Sequence, residues 1–206
     1  MSVVAVETFY GILAVVAMVA IAGVVLLRLG ALVSGSARDR WDGLVRTVGP
    51  SAYGMAWFVA FLATAGSLYF SEVAGFEPCR LCWYQRIAMY PLVVVLAVAA
   101  ARRERGGAFH AAALAAVGAA VSAYHVLLEW VPSLDTGACS ATTPCTLIWF
   151  RALGFISLPT LALTAFALVL TLMAIRLAQA DHKEDPADDV DGAATDMDVD
   201  PIRRPA

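Results

Sequence analysis

Glu77-Pro78-Cys79-Arg80-Leu81-Cys82-Trp83-Tyr84-Gln85-Arg86 places a Cys-x-x-Cys pair at the head of an apolar run that continues from Ile87 to Ala101. Two thiols in the first turn of a helix form a redox arrangement, because the positive end of the helix favours the thiolate, the reactive form of cysteine. Arg86 follows Cys82 by four residues, so it shares a helical face with that sulfur and can stabilise the same anion. Half of a zinc site or a structural disulfide would use the same two cysteines, and the motif alone leaves those readings open.

The setting of the motif is a membrane. Of the 206 residues 61% are hydrophobic and only 15% charged, and the mean hydropathy is +0.75, too apolar for a water-soluble domain. The formal charge of -3 conceals an asymmetry: residues 181–206 carry nine Asp or Glu against three Lys or Arg, which leaves the other 180 residues at +3. The arginines are scattered in short connections rather than gathered into a patch suited to nucleic acid, and they read as orientation signals. The four cysteines fall into two close pairs, Cys79 with Cys82 and Cys139 with Cys145, which suits an oxidising face of the membrane. Four cysteines allow three connectivities; spacing favours the local pairs without proving them.

Five apolar runs predict five spans. The first, Phe9 to Leu27, holds no charged residue and is long enough to cross about 30 Å of hydrocarbon. The small residues from Ala31 to Ala37 imitate a signal-peptide cleavage site, but Glu7 stands where a basic segment would be expected, so an uncleaved helix is the better reading. Arg28, Arg38, Arg40 and Arg46 then mark a polar, cytoplasmic connection. The second span runs from Ser51 to Ala74, with Tyr69, Phe70 and Phe76 collecting at an outer interface and Glu72 exposed to water near that end.

The apolar part of the third span covers about 22 Å, and only the addition of Cys82 to Arg86 brings it to about 30 Å. The Cys-x-x-Cys therefore belongs at the outer headgroup level, within reach of a membrane-soluble partner. Pro91 predicts a kink near Ile87. A basic turn, Arg102 to Gly107, leads into the fourth span, Ala108 to Trp130. There His110 reads as a solvated inner residue, whereas His125 reaches the same depth as Arg86, so that both can face one pocket; Glu129 reads as a solvated rim residue. An outer loop with Cys139 and Cys145 follows, and Trp149 and Phe150 mark re-entry into a fifth span, Ala152 to Leu177, with Pro159 as a second kink and Arg176 at its cytoplasmic end. Residues 181–206 lack the large apolar side chains needed for a core and are expected to be disordered. The topology is N-terminus out, C-terminus in.

Residues 78–92, Pro-Cys-Arg-Leu-Cys-Trp-Tyr-Gln-Arg-Ile-Ala-Met-Tyr-Pro-Leu, resemble the signature of the disulfide bond formation protein B (DsbB) family of membrane thiol oxidases and are especially similar to its BdbC-type branch. The resemblance covers about Ser51 to Leu177. It implies an all-α integral membrane fold, a four-helix transmembrane bundle core to which this chain adds one N-terminal transmembrane helix. The expected division is 1–50, the additional helix and a cytoplasmic loop; 51–177, the thiol oxidase domain; and 178–206, the acidic tail. The five-residue gap between Cys139 and Cys145 also fits the BdbC-type branch.

By that resemblance Cys79, Cys82, Cys139 and Cys145 are catalytic. Cys82 forms the thiolate that contacts a quinone, ubiquinone or menaquinone; Cys79 exchanges with the loop pair; Cys139 forms the mixed disulfide with an extracytoplasmic thioredoxin-fold oxidase. Arg86, Gln85 and His125 are the candidate quinone contacts, His125 because the family carries a histidine beside the quinone at the outer end of this helix. The implied activity is that of a quinone-dependent, disulfide-forming thiol oxidoreductase in the cell membrane, with both cysteine pairs extracytoplasmic and no metal. Two alternatives are a vitamin K epoxide reductase-like protein, in which the loop pair would precede the Cys-x-x-Cys, and a non-enzymatic membrane protein with a four-cysteine zinc site.

Overall fold

A computed structural model describes residues 2–102, 105–135, 137, 139 and 143–183. Helix α1 (Val3–Gly30) starts at Ser2, whose hydroxyl accepts from the Ala5 amide at 3.3 Å. Helix α2 (Gly35–Val48) leads through the short turn Gly49–Ser51 into α3 (Ala52–Leu68), which ends in a π-helical turn at Tyr69–Val73. Helices α4 (Arg80–Arg102), α5 (Arg105–Trp130) and α6 (Leu158–Lys183) complete the chain. Among the described residues, five helical segments are long and apolar enough to cross a membrane, the second being the continuous stretch Gly35–Val73 that contains α2 and α3. The protein is an all-α, multi-pass membrane protein.

Helices α3 to α6 share one core. Lipid is as apolar as the side chains, so burial supplies little drive for helix association in a bilayer, and close packing of small residues has to do so. Ala52, Ala56 and Ala60 of α3 and Ala108, Ala111 and Ala115 of α5 recur at helical spacing and are buried against Leu92 and Leu96 of α4 and Phe166, Val169 and Met173 of α6. Gly118 gives the Phe166 ring its place: a Cβ there would overlap the ring, so any larger residue would force α5 and α6 apart. Helix α1 lies outside this bundle, packed on α6 and α2, with only Val6, Gly11 and Ala14 buried. The four-helix core with one additional N-terminal span is therefore the observed architecture.

Several boundaries differ from the sequence expectation. The polar connection after the first span is largely the helix α2: Trp41, Leu44, Val45 and Val48 recur every three or four residues and pack with Ile175, while Arg28 lies 5.2 Å over the Trp41 ring. Helix α6 begins at Leu158 rather than Ala152. Ala152 and Ile156 pair across a tight reversal, with Leu153 and Gly154 in the left-handed region at φ 53° and 85°. Pro159 consequently lies in the first turn of α6, where its missing N–H leaves no bond unmade. The helix then continues past Leu177 to Lys183. Arg176 is not its end; its guanidinium lies 5.2 Å over the Tyr53 ring. Phe70 is buried within an aromatic cluster with Tyr10, Phe76 and Phe150. Helix α4 runs unbroken through Pro91. Arg103, Glu104 and the acidic stretch 184–206 lie outside the described residues.

Candidate active site

Cys79 caps α4. Its carbonyl accepts from the Trp83 amide at 3.1 Å, and its sulfur accepts from the Cys82 amide at 3.4 Å, the role a Ser or Asp side chain commonly plays at a helix start. The Cys79 and Cys82 Sγ atoms are 3.0 Å apart and unbonded. His125 of α5 reaches the same point: its Nε2 lies 3.8 Å from Cys79 Sγ and 3.0 Å from the Cys145 carbonyl oxygen, and its Nδ1 lies 3.2 Å from Gln85 Nε2. A carbonyl can only accept, so Nε2 carries the proton and the Gln85 amide donates to Nδ1. The ring is thereby held as one neutral tautomer aimed at Cys79.

The loop lies on top of this group. Cys139 and Cys145 are joined by a disulfide with Cα atoms 5.7 Å apart. Cys145 is 1% exposed and packs with Cys79, Leu81 and Leu128, whereas Cys139 is only partly buried. The bond between His125 and the Cys145 carbonyl thus fixes the loop disulfide against the inner thiol pair.

Two cavities meet at the dithiol. One, of about 10 Å³, has room for a single water and is bordered by Cys79, Cys82, His125 and Glu129. The other, of about 420 Å³, is within the range of small-molecule sites and mostly apolar; Cys82, Gln85 and Arg86 form its polar end. Arg86 is braced there by Ser67: Nε donates to the hydroxyl and Nη2 to the carbonyl, each at 3.0 Å. Only Cys82, of the two inner sulfurs, borders both cavities.

The Cys79 thiol is pulled from its ordinary 9.0 down to about 4. The largest cause is the hydrogen bond from the Cys82 thiol; burial opposes it, and the His125 N–H, the ring's charge when protonated and the Cys82 amide add to the pull. Because the folded group titrates below its ordinary value, the stabilisation of the dithiol form is complete above pH 9 and is lost as pH falls through about 4. Thiolate absorbance of the reduced protein is expected to persist from neutral pH down to about 4, and to disappear at a higher pH in His125→Ala. Equal midpoints in the two proteins would remove His125 from this role.

The family model for disulfide bond formation protein DsbB matches residues 50–176. The chain belongs to this family. The chain is 42% identical over 131 residues to a probable disulfide formation protein of Oceanobacillus iheyensis, covering 63% of this chain and 90% of that protein. It is 41% identical over 121 residues to disulfide bond formation protein C of Bacillus subtilis, covering 58% and 88%, and 45% identical over 112 residues to probable disulfide formation protein C of Bacillus cereus, covering 54% and 81%. No solved structure matches. The protein is thus a disulfide-forming membrane oxidoreductase, and α1 lies outside the DsbB match.

Within this DsbB-family site, the four cysteines, Gln85 and His125 form one cluster. Arg86 joins it through Cys82 but does not share a pocket with His125, and the expectation that both face one pocket is corrected: Arg86 borders the wide cavity and His125 the water-sized one. The reason is that both His125 ring nitrogens are engaged on the loop side, by Gln85 and by the Cys145 carbonyl. Glu129 is not a solvated rim residue either. It is 9% exposed and accepts from the Ser157 hydroxyl at 2.5 Å. Its position four residues after His125 was a legible signal of a shared face; Ser157 and Ser67 gave none. The four-thiolate zinc set is not available, since Cys139 and Cys145 are bonded to each other. Cys79, Cys82 and His125 keep three donor atoms within 4.8 Å of one another, and a metal there would have to displace the His125 proton from the Cys145 carbonyl.

Proposed function

We propose that this protein passes electron pairs from an extracytoplasmic thioredoxin-fold thiol oxidase, through its two cysteine pairs, to a membrane quinone, ubiquinone or menaquinone. The observation that carries the reading is the position of Cys82, whose side chain borders the wide apolar cavity together with Arg86 and Gln85, while Cys79 packs beside Cys145 of the loop disulfide. The proposed catalytic unit is residues 51–177, with both cysteine pairs extracytoplasmic and the C-terminus cytoplasmic.

The sulfur chemistry then follows from exposure. A partner thiolate attacks Cys139, the more accessible loop sulfur, and Cys145 leaves; the partner's second thiol resolves the mixed disulfide, so the partner departs oxidised and the loop pair holds the two electrons. Cys145 next attacks Cys79 of the oxidised inner pair and expels Cys82 at the edge of the wide cavity. Cys139 then attacks Cys145 and expels Cys79, a good leaving group because its thiolate is stabilised. The loop disulfide is restored and the inner pair is a dithiol, the sulfur arrangement described above.

A quinone supplies the acceptor for the two electrons and two protons that this dithiol must lose. Two Arg86 nitrogens are committed to Ser67, and the third has no protein partner among the described residues, so it is available to a ring oxygen. Glu129 borders the water-sized chamber with Cys79 and Cys82, which puts a carboxylate one water away from the thiols.

Purified protein given a reduced thioredoxin-fold partner and ubiquinone or menaquinone is expected to consume quinone in proportion to partner thiols oxidised; thiol oxidation without quinone loss would overturn the reading. In reduced intact cells an impermeant maleimide is expected to reach Cys139 and Cys145, and labelling confined to inverted vesicles would reverse the orientation. Stoichiometric zinc with no thiol-dependent turnover would favour the metal alternative.

A further inference from the structure

We propose that α1, the helix outside the family match, is the outer wall of the quinone site and holds the quinone's isoprenoid tail, so that this helix selects tailed over tailless quinones. The inference rests on the quinone reading of the wide cavity and goes beyond it to the part of the ligand that the Cys82 end does not touch.

Helix α1 is attached at its two ends. At one, the Tyr10 ring lies against Gly66, where a Cβ would stand 2.6 Å from it, and the Tyr10 hydroxyl donates to the Leu62 carbonyl at 3.1 Å. At the other, Val24, Leu27 and Ala31 pack with Trp41, Val45 and Ile175. Between these anchors Leu13, Val16, Ala17 and Ala20 border the wide cavity opposite Met55 and Phe58 of α3. Ala14, Ala17 and Ala20 recur at helical spacing, the kind of small-residue stripe that lets transmembrane helices close on each other. Instead of closing, α1 leaves a space of about 420 Å³.

The lining of that space states what fits. Its charged and thiol groups, Cys82, Arg86 and Glu77, mark the thiol end together with Gln85; Tyr10, Tyr90 and Thr164 add hydroxyls to the lining, and between Tyr10 and Ala20, about 15 Å of helix, α1 offers alanine, valine and leucine. A ligand with one polar ring and a long apolar chain matches both ends; an ordinary acyl chain leaves the Arg86 end unmatched. Val16, Met55 and Phe58 also remain exposed, so the cavity opens toward lipid between α1 and α3, and the tail has a route in.

A tail already dissolved in hydrocarbon gains little from being buried again, so the wall acts by shape: it fixes the chain and thereby the ring beside Cys82. The effect belongs in KM and depends on tail length. In the full-length protein, Ala17→Phe is expected to raise the ratio of KM for a quinone with several isoprene units to KM for the tailless analogue of the same ring about tenfold. An unchanged ratio would overturn the proposal. Because a large residue in α1 could disturb its seat, a second measurement uses the unaltered protein: a quinone with a photoreactive group in its tail is expected to label the 3–30 segment, and labelling confined to α3, α4 or α6 would overturn the proposal. If the unaltered protein consumes tailed and tailless quinones with equal KM, the tail site alone fails; if it consumes neither, the quinone reading itself fails and the tail site with it.

Discussion

Arg86→Met is expected to lower quinone-dependent turnover about a hundredfold, while oxidation of a soluble partner in a single turnover by preoxidised protein stays within about twofold. The difference follows from where the side chain is held. Ser67 grips two guanidinium nitrogens, so the group is preorganised at the polar end of the wide cavity beside Cys82. A fixed donor aimed at an oxygen that gains negative charge during reduction typically contributes 10²- to 10³-fold in rate. Methionine keeps an unbranched apolar stem like that of arginine while removing the charged head and its contacts with Ser67 and Trp83. In the proposed route the loop exchange lies on the His125 side of Cys82, in the cavity that Arg86 does not border. Arg86→Lys should lie between the two, because an ammonium restores the charge but cannot make the two-nitrogen grip on Ser67. Slowed partner oxidation with intact quinone kinetics would show the site to be misassigned.

The second large effect concerns the loop. Cys145→Ser is expected to reduce turnover to background and, given the oxidised form of the partner, to accumulate a mixed disulfide, Cys139 attacking the partner's disulfide and releasing the partner's second cysteine as a thiol. Cys145 is buried against Cys79 and its carbonyl is bonded to His125, which leaves Cys139 as the sulfur a soluble protein can approach and Cys145 as the one positioned for the inner pair. Without Cys145 the electrons have no route inward. In the unsubstituted protein, a partner lacking its own resolving cysteine should trap the same species by opening the loop disulfide at Cys139 and releasing Cys145 as a thiol, and non-reducing electrophoresis with peptide mapping would locate it. Trapping through Cys79 instead would reverse the electron path.

How far the sequence could be read depended on whether the deciding contact was local. The spans were legible because apolar length in a bilayer is a local property, and the placement of Cys79 at the start of α4 was legible because one turn of helix is local too. The 30 Å length argument put Arg86 and His125 at one depth, and His125 does reach Cys79 while Arg86 lines a cavity with Cys82, yet depth says nothing about which side of α4 faces which cavity. That was decided by Ser67, nineteen residues before Arg86, and by the Cys145 carbonyl, twenty residues after His125. The burial of Glu129 likewise depends on Ser157, across a reversal that no periodicity announces. Helix α2 was a different failure: Trp41, Leu44, Val45 and Val48 had the helical period, and the density of Arg and Asp around them concealed it.

On the proposed quinone reading, Cys82, which borders both cavities while Arg86 borders only the wide one and His125 only the water-sized one, makes the dithiol the crossing point between them, and the protein would work as a phase-transfer catalyst. A water-soluble protein and a lipid-soluble oxidant would exchange electrons without meeting. Quinones are electrophiles that alkylate free thiols, and a secretory compartment is full of unfolded chains with exposed cysteines. Confining the oxidant to the hydrocarbon side of a single pair of sulfurs would let the cell draw on its oxidising power while the thiols it meets are ones that release it as the quinol.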